Sequence, residues 1–169
     1  MRPKLLKLVE AIKYCNRMVQ FNIYDLQDIT KIANKKFVFE NVQVNPRALL
    51  NDVVNSYQMH AHKKKQRIIL KIDDSVPKCI ESDPKRLTQI VNNLLNNAIK
   101  FSDEKNRIDI ESYYLPDIDM FQVTVVDDGI TISDEEAVTL FKPYSTLKSA
   151  RDINAAGPGL GLYMCRHLC

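Results

Sequence analysis

The sequence predicts an α+β layer sandwich preceded by one long helix. Three observations carry that reading. Apolar residues recur at three-four spacing through about the first thirty-five positions, a helical period. Short alternating runs are then mixed with two more helical segments, without a regular βαβ rhythm, which favours an α+β sandwich over a doubly wound sheet. Finally, 169 residues fit one domain plus an appendage, and 45% hydrophobic content is enough for a packed core.

The first helix is expected over residues 3–35. Pro3 suits a first helical turn. Leu5, Leu8, Ile12, Cys15, Val19, Asn22, Leu26, Ile29 and Ala33 mark its seam over about four heptads. Such a helix runs roughly 45–50 Å, long for an element lying on a small domain. It suits a coiled-coil or bundle seam, in which Asn22 can fix register at some cost in stability. A long surface helix on the same core is the plainer alternative. Asn34-Lys35-Lys36 ends it, and FVFENV (37–42) alternates like a strand.

Asn45-Pro46 starts a second helix whose apolar face is Leu49, Leu50, Val53, Val54 and Tyr57. The run His62-Lys63-Lys64-Lys65-Gln66-Arg67 follows and is expected to be solvated, its cations favoured by the helix C-terminus. RIILKID (67–73) and KCIES (78–82) have strand character. Asp83-Pro84 caps a third helix over DPKRLTQIVNNLLNNAIKFS (83–102), with Leu87, Ile90, Val91, Leu94, Leu95, Ala98 and Ile99 at helical spacing. RIDIESYY (107–114) and FQVTVV (121–126) form a strand pair joined through Pro116 and Asp117. Ser133 and Glu136 make a capping box for a short helix through Phe141. A polar loop over 142–156 leads to a last helix opening at Gly157.

Composition narrows the function. A net charge of +3, without basic residues interleaved with aromatics, argues against a nucleic-acid partner. The sequence carries no secretory signal and no apolar run long enough for a membrane span, so a cytoplasmic location is expected, with an anchor elsewhere in a parent protein left open. Cys15, Cys79, Cys165 and Cys169 lack metal-ligand spacing and are expected as free thiols.

The chemistry concentrates in the third helix. Asn92, Asn93, Asn96 and Asn97 crowd it although Asn is a mediocre helix former. Asn93 and Asn97 stack on one face, and Lys100 shares that edge. Two amides and an ammonium there suit a metal-bound polyphosphate; a solvated polar face is the alternative. Asp127 closes the VTVV strand, where a carboxylate can accept from an exocyclic amine; alone, Asp127-Asp128-Gly129 is more simply a turn. Gly129 permits close backbone approach or a positive φ. Gly157, Gly159 and Gly161 at a helix start offer backbone N–H groups to phosphates. Their spacing is not GxGxxG and no Walker lysine is present, which disfavours Rossmann and P-loop sites.

In order, the 83–102 helix, VVDDGITI (125–132), FKPY (141–144) and GPGLGL (157–162) resemble the N, G1, F and G2 boxes of the histidine-kinase branch of the GHKL ATPases. The resemblance covers nearly the whole chain. It implies a Bergerat-type two-layer α/β sandwich, a mixed sheet with helices on one face. Residues 1–36 would be the second helix of a dimerisation hairpin, and 37–169 an ATP-binding domain without its C-terminal strands. The cofactors implied are ATP and Mg²⁺. Asn97 would ligate the metal; Asn93 and Lys100 would be the catalytic pair, also touching nucleotide. Asp127 and Gly129 would hold adenine. Gly157, Gly159, Leu160 and Gly161 would cradle phosphates under a 142–156 lid, with Lys148 and Arg151 available to the γ-phosphate, equally readable as plain loop solubility. Arg86 is a further phosphate candidate, equally readable as structural. Thr131 and Pro158 depart from the family pattern, which favours glycine and a hydroxyl residue there. The implied partners are a second copy through the first helix and a response-regulator receiver domain. The phosphoacceptor histidine would lie upstream, since His60, His62 and His167 lack its acidic neighbour. A truncated, non-catalytic pairing module is the rival reading.

Overall fold

The computed structural model describes residues 2–145 and 159–169. Two compact units divide the chain, Met1–Val38 and Phe39–Cys169.

The first unit is the helix α1, Arg2–Ala33. Leu5, Leu8, Val9, Ile12, Val19, Ile23 and Leu26 are exposed along it. It ends in a Schellman turn: Lys35 adopts φ 54°, its N–H bonds the Ile32 carbonyl, and the Lys36 N–H bonds the Lys31 carbonyl at 2.8 Å. A lysine in the left-handed region stands where glycine is usual, which is why no glycine announces this stop.

The second unit is an α+β sandwich. In chain order it contains β1 (Val42–Val44), α2 (Pro46–Lys63), β2 (Arg67–Ile72), β3 (Ile80–Ser82) and α3 (Pro84–Phe101). Then come β4 (Arg107–Leu115), a 3₁₀ turn (Pro116–Ile118), β5 (Met120–Asp127), α4 (Asp134–Ala137) and α5 (Gly161–Leu168). The main sheet has the order β2-β4-β5. Strands β2 and β4 pair in parallel, Ile68 opposite Ile108 and Leu70 opposite Ile110. Strands β4 and β5 pair antiparallel, with Asp119 in the left-handed region closing the hairpin. Ile68, Ile108, Ile110 and Ser112 point to the buried face. Their alternates Lys71, Asp109, Glu111 and Arg107 form an ion network on the other face, Lys71 Nζ 2.7 Å from Glu111 and Arg107 2.6 Å from Asp109. Period-two alternation thus sets which face the helices cover.

The core is α2 and α3 against that sheet. Helix α2 begins at Asn45, whose side-chain oxygen accepts from Ala48 N, with Pro46 in the first turn. It contributes Leu50, Val53, Val54, Tyr57 and Ala61. Helix α3 is capped by Asp83, one oxygen accepting from Lys85 N and Arg86 N, the other from Glu40 N at 3.0 Å. The buried residues Val91, Leu95 and Ile99 of α3 each contribute about 1.5–3 kcal/mol. Beside the outer edge of β5, which pairs with no strand among the described residues, runs a groove of about 1280 Å³ lined by Ile80, Leu87, Ile90, Phe121, Val123 and Leu168.

Four expectations are corrected. FVFENV is not a strand: only Val42–Val44 pairs, with the three residues of β3, so the short partner limits the ladder. Val38 and Phe39, expected to alternate, are both exposed. The helix expected through Phe141 is one turn, because the Thr139 hydroxyl and N–H both go to the Glu136 carbonyl and Lys142 precedes a proline. The last described helix begins at Gly161, not Gly157. Finally, the basic run is not simply solvated. Helix α2 ends in a second Schellman turn at Lys65, φ 58°, with Gln66 N bonding the Ala61 carbonyl. That turn aims Lys64 and Gln66 at the end of α3.

Candidate nucleotide site

Helix α3 carries the site. Asn92 is buried, and Asn93, Asn96 and Asn97 are half-buried, so the amide-rich face is not a freely solvated one. Asn93 Nδ2 donates to the Gly161 carbonyl at 3.3 Å, joining α3 to the start of α5. The approach is close: a Cβ on Gly161 would sit 3.0 Å from Asn93 Oδ1. Among the described residues, the Asn97 amide has no hydrogen-bond partner, although it lies on the same face one turn on. The Lys100 ammonium lies 4.7 Å from the centroid of the Phe101 ring, and burial lowers its pKa from the ordinary lysine value.

The far end of α3 meets the end of β5. Asp127 Oδ1 accepts from Ser102 Oγ at 3.2 Å and from Gly129 N at 2.9 Å. The residue is exposed, and its second oxygen has no hydrogen-bond partner among the described residues. A Cβ on Gly129 would collide with Asp127 Oδ1 and approach the Phe101 carbonyl to 2.9 Å. Glycine is therefore required here by close approach, as its place in the sequence suggested. Gly159 is required for another reason: its φ is +67°, and a Cβ would sit 2.6 Å from the Ser145 carbonyl. Leu160 is buried directly before α5.

The structure thus brings Asn93 to Gly161, and Asp127 and Gly129 to the end of α3. Lys148, Arg151 and Gly157, with Pro158, lie outside the described residues. Thr131 is exposed. Arg86 is occupied at the opposite end of α3, donating to Gln89 Oε1 at 2.9 Å beside Asp83.

Three residues escaped sequence reasoning. Ser102 stands in the sequence only as the end of a helix. Lys64 and Gln66 are hidden within a charged run. Gln66 Nε2 donates to the carbonyls of Ile99, Ser102 and Asp103, and Lys64 Nζ to those of Ile99 and Lys100. The Ile99 and Lys100 carbonyls are orphan acceptors of the last α3 turn, and those of Ser102 and Asp103 lie just beyond it. The one usable signal was an uncharged Gln amid five basic residues.

Residues 82–169 match the family model described as histidine kinase-, DNA gyrase B- and HSP90-like ATPase. The chain belongs to this family. It is 32% identical over 162 residues to the sensor histidine kinase RcsC of Escherichia coli, covering 96% of this chain and 17% of that protein. It is also 32% identical over 144 residues to the ArcB homolog of Haemophilus influenzae, an aerobic respiration control sensor protein, covering 85% and 43%. The chain therefore spans a small part of the curated relatives it matches. Among solved structures, the catalytic domain of histidine kinase ThkA superposes with a TM-score of 0.63 at 28% identity, over 76% of this chain and 79% of that one. Full-length ShkA, solved with AMPPNP, gives 0.74 at 22% identity over 96% and 33%, a likeness of fold. The sandwich and these matches are those of a GHKL catalytic domain of histidine-kinase type, a class that generally binds ATP and Mg²⁺. No helix among the described residues is long and apolar enough to cross a membrane.

Proposed function

We propose that residues 37–169 bind Mg-ATP and present its γ-phosphate to a histidine carried on a dimerisation region to which residues 1–36 contribute the second helix. One observation carries this reading. Helix α3 touches the G2 segment through Asn93 and the G1 segment through Ser102, nine residues apart and about 13 Å along the axis. That spacing suits phosphates at one end and a base at the other. The second oxygen of Asp127 accepts the exocyclic amine of adenine, against the flat approach that Gly129 leaves open. The unpartnered Asn97 oxygen is a hard ligand suited to Mg²⁺. Backbone N–H groups at the start of α5 face the phosphates.

When bound, Mg²⁺ would neutralise phosphate charge, and Asn97 would be the residue that holds it. The chain's own residues position and exclude. Asn93 cannot take a proton at neutral pH, so it does not activate a water. Lys100 brings a partly desolvated positive charge to the same edge. This donor set favours transfer to a protein acceptor over hydrolysis. A homodimer through α1 and a response-regulator receiver are the partners of this reading; ThkA has been solved in complex with the response regulator TrrA.

Calorimetric titration of the chain with Mg-ATP tests the proposal. Asp127→Asn should weaken binding by about 1.5–3 kcal/mol, the worth of a charge-assisted acceptor. Equal affinity of the two forms would refute the site. No measurable binding by the unaltered chain would favour a non-catalytic pairing module instead.

A further inference from the structure

We infer that Ser102 is a positioning residue for base recognition: it orients the Asp127 carboxylate so that one oxygen is presented to the 6-amino group of a purine. This inference rests on the nucleotide reading above and deepens it. Carboxylate oxygens are equivalent in a free side chain, and rotation about the last bond exchanges them. Here two hydrogen bonds favour one orientation. Oδ1 accepts two hydrogen bonds, from the Ser102 hydroxyl and the Gly129 N–H. The Ser102 side chain is almost wholly buried, so its hydroxyl does not spend its time on water.

The donor is itself held. Ser102 is the residue that ends α3, with extended backbone angles and its N–H on the Ala98 carbonyl. Gln66 Nε2 grips the Ser102 carbonyl at 3.0 Å and the Ile99 and Asp103 carbonyls at 3.2 and 3.1 Å. Lys64 Nζ takes the Ile99 carbonyl at 2.7 Å and the Lys100 carbonyl at 3.1 Å. The price is visible: Gln66 Oε1 is buried and has no partner among the described residues. The clamp from the α2–β2 turn therefore fixes the last turn of α3, that turn fixes Ser102, and Ser102 fixes the acceptor. The same turn carries the Phe101 carbonyl against which Gly129 packs. Base recognition and the Asn97 face are thus referred to one rigid helix.

The test compares two nucleotides. ATP carries the 6-amino group; purine riboside triphosphate lacks it and makes no bond to Asp127. Ser102→Ala should weaken Mg-ATP binding about tenfold, the lower end for a hydrogen bond to a charged group. It should leave the affinity for purine riboside triphosphate unchanged and add no loss in an Asp127→Asn background. Ser102→Cys, nearly isosteric with a weak donor, should show the same selective loss and covers the case in which alanine leaves the chain unfolded. Equal loss for both nucleotides, or no loss for either, would overturn the inference while Asp127→Asn still weakens ATP. If Asp127→Asn has no effect on ATP, the nucleotide site itself is wrong and the inference falls with it.

Discussion

Alanine at position 129 adds one methyl group between two fixed objects. On one side is Asp127 Oδ1, which a Cβ would overlap; on the other is the Phe101 carbonyl at 2.9 Å. The carboxylate is the softer of the two, since the carbonyl belongs to the backbone of α3. The expected response is that Asp127 swings away and surrenders its bonds to Ser102 and Gly129. Overpacking of this kind costs about 1–3 kcal/mol of stability. In a chain of 169 residues each kcal/mol lowers Tm by about 2–4 °C. Loss of the oriented acceptor removes about a further 1.5–3 kcal/mol from nucleotide binding. Gly129→Ala should therefore melt lower and bind Mg-ATP at least about tenfold more weakly at a temperature where it is fully folded. Differential scanning calorimetry and isothermal titration measure the two quantities. A Gly129→Ala protein with unchanged melting and unchanged ATP affinity would refute the packing argument.

Asn97→Ala should remove the dependence of ATP binding on Mg²⁺ more than binding itself; titrations with and without the metal check this, and an undiminished metal effect would take Asn97 out of the role. Leu5, Leu8, Ile12, Val19 and Leu26 are all exposed on α1, so sedimentation should show self-association that Ile12→Asp weakens, whereas a monomer indifferent to that change would mean the seam is unused. His60 has its pKa lowered by burial first and by Lys63 and Lys64 next, so the unfolded chain binds the proton more readily than the folded one. Stability should consequently fall as pH drops below the ordinary value of 6.5, and His60→Gln should flatten that part of the urea-midpoint profile; identical slopes would exclude the imidazole as its source.

The sequence was most legible where local chemistry and tertiary contact agree. Asn45-Pro46 and Asp83-Pro84 begin helices because cap and first turn are encoded within three residues, and both caps form. The β4–β5 pair was legible because alternation over eight or nine residues is hard to mistake. Failures came where the deciding partner is distant or unsignalled. Residues 37–41 alternate as well as any strand, yet β3 offers only three residues to pair with. Lys35 and Lys65 take left-handed conformations that no composition rule assigns to lysine.

The site divides along the same line. Asn93, Asn97, Asp127 and Gly129 stand out as candidates in the sequence because their residue types are unusual for their places: amides on a half-buried helix face, a carboxylate and a glycine closing an apolar strand. Ser102, Gln66 and Lys64 are unremarkable for theirs, and what makes them matter is which carbonyl or carboxylate they reach across the fold. Ser102 and Asp127 are 25 positions apart, and Gln66 and Ser102 are 36 apart. Long sequence separation hides such pairs but also gives them their use. A hydrogen bond between neighbours stabilises a turn; one between distant segments fixes the angle at which two elements meet. Helix α3 is held at its start by Asp83 to Glu40 N, in its middle by Asn93 to Gly161, and at its end by Ser102 to Asp127. Apolar burial fixes how deeply the helix sits, but it is non-directional and leaves rotation and sliding less constrained. Three directional ties reduce that freedom, as the proposed reading of a base and a metal-bound phosphate from one helix would require.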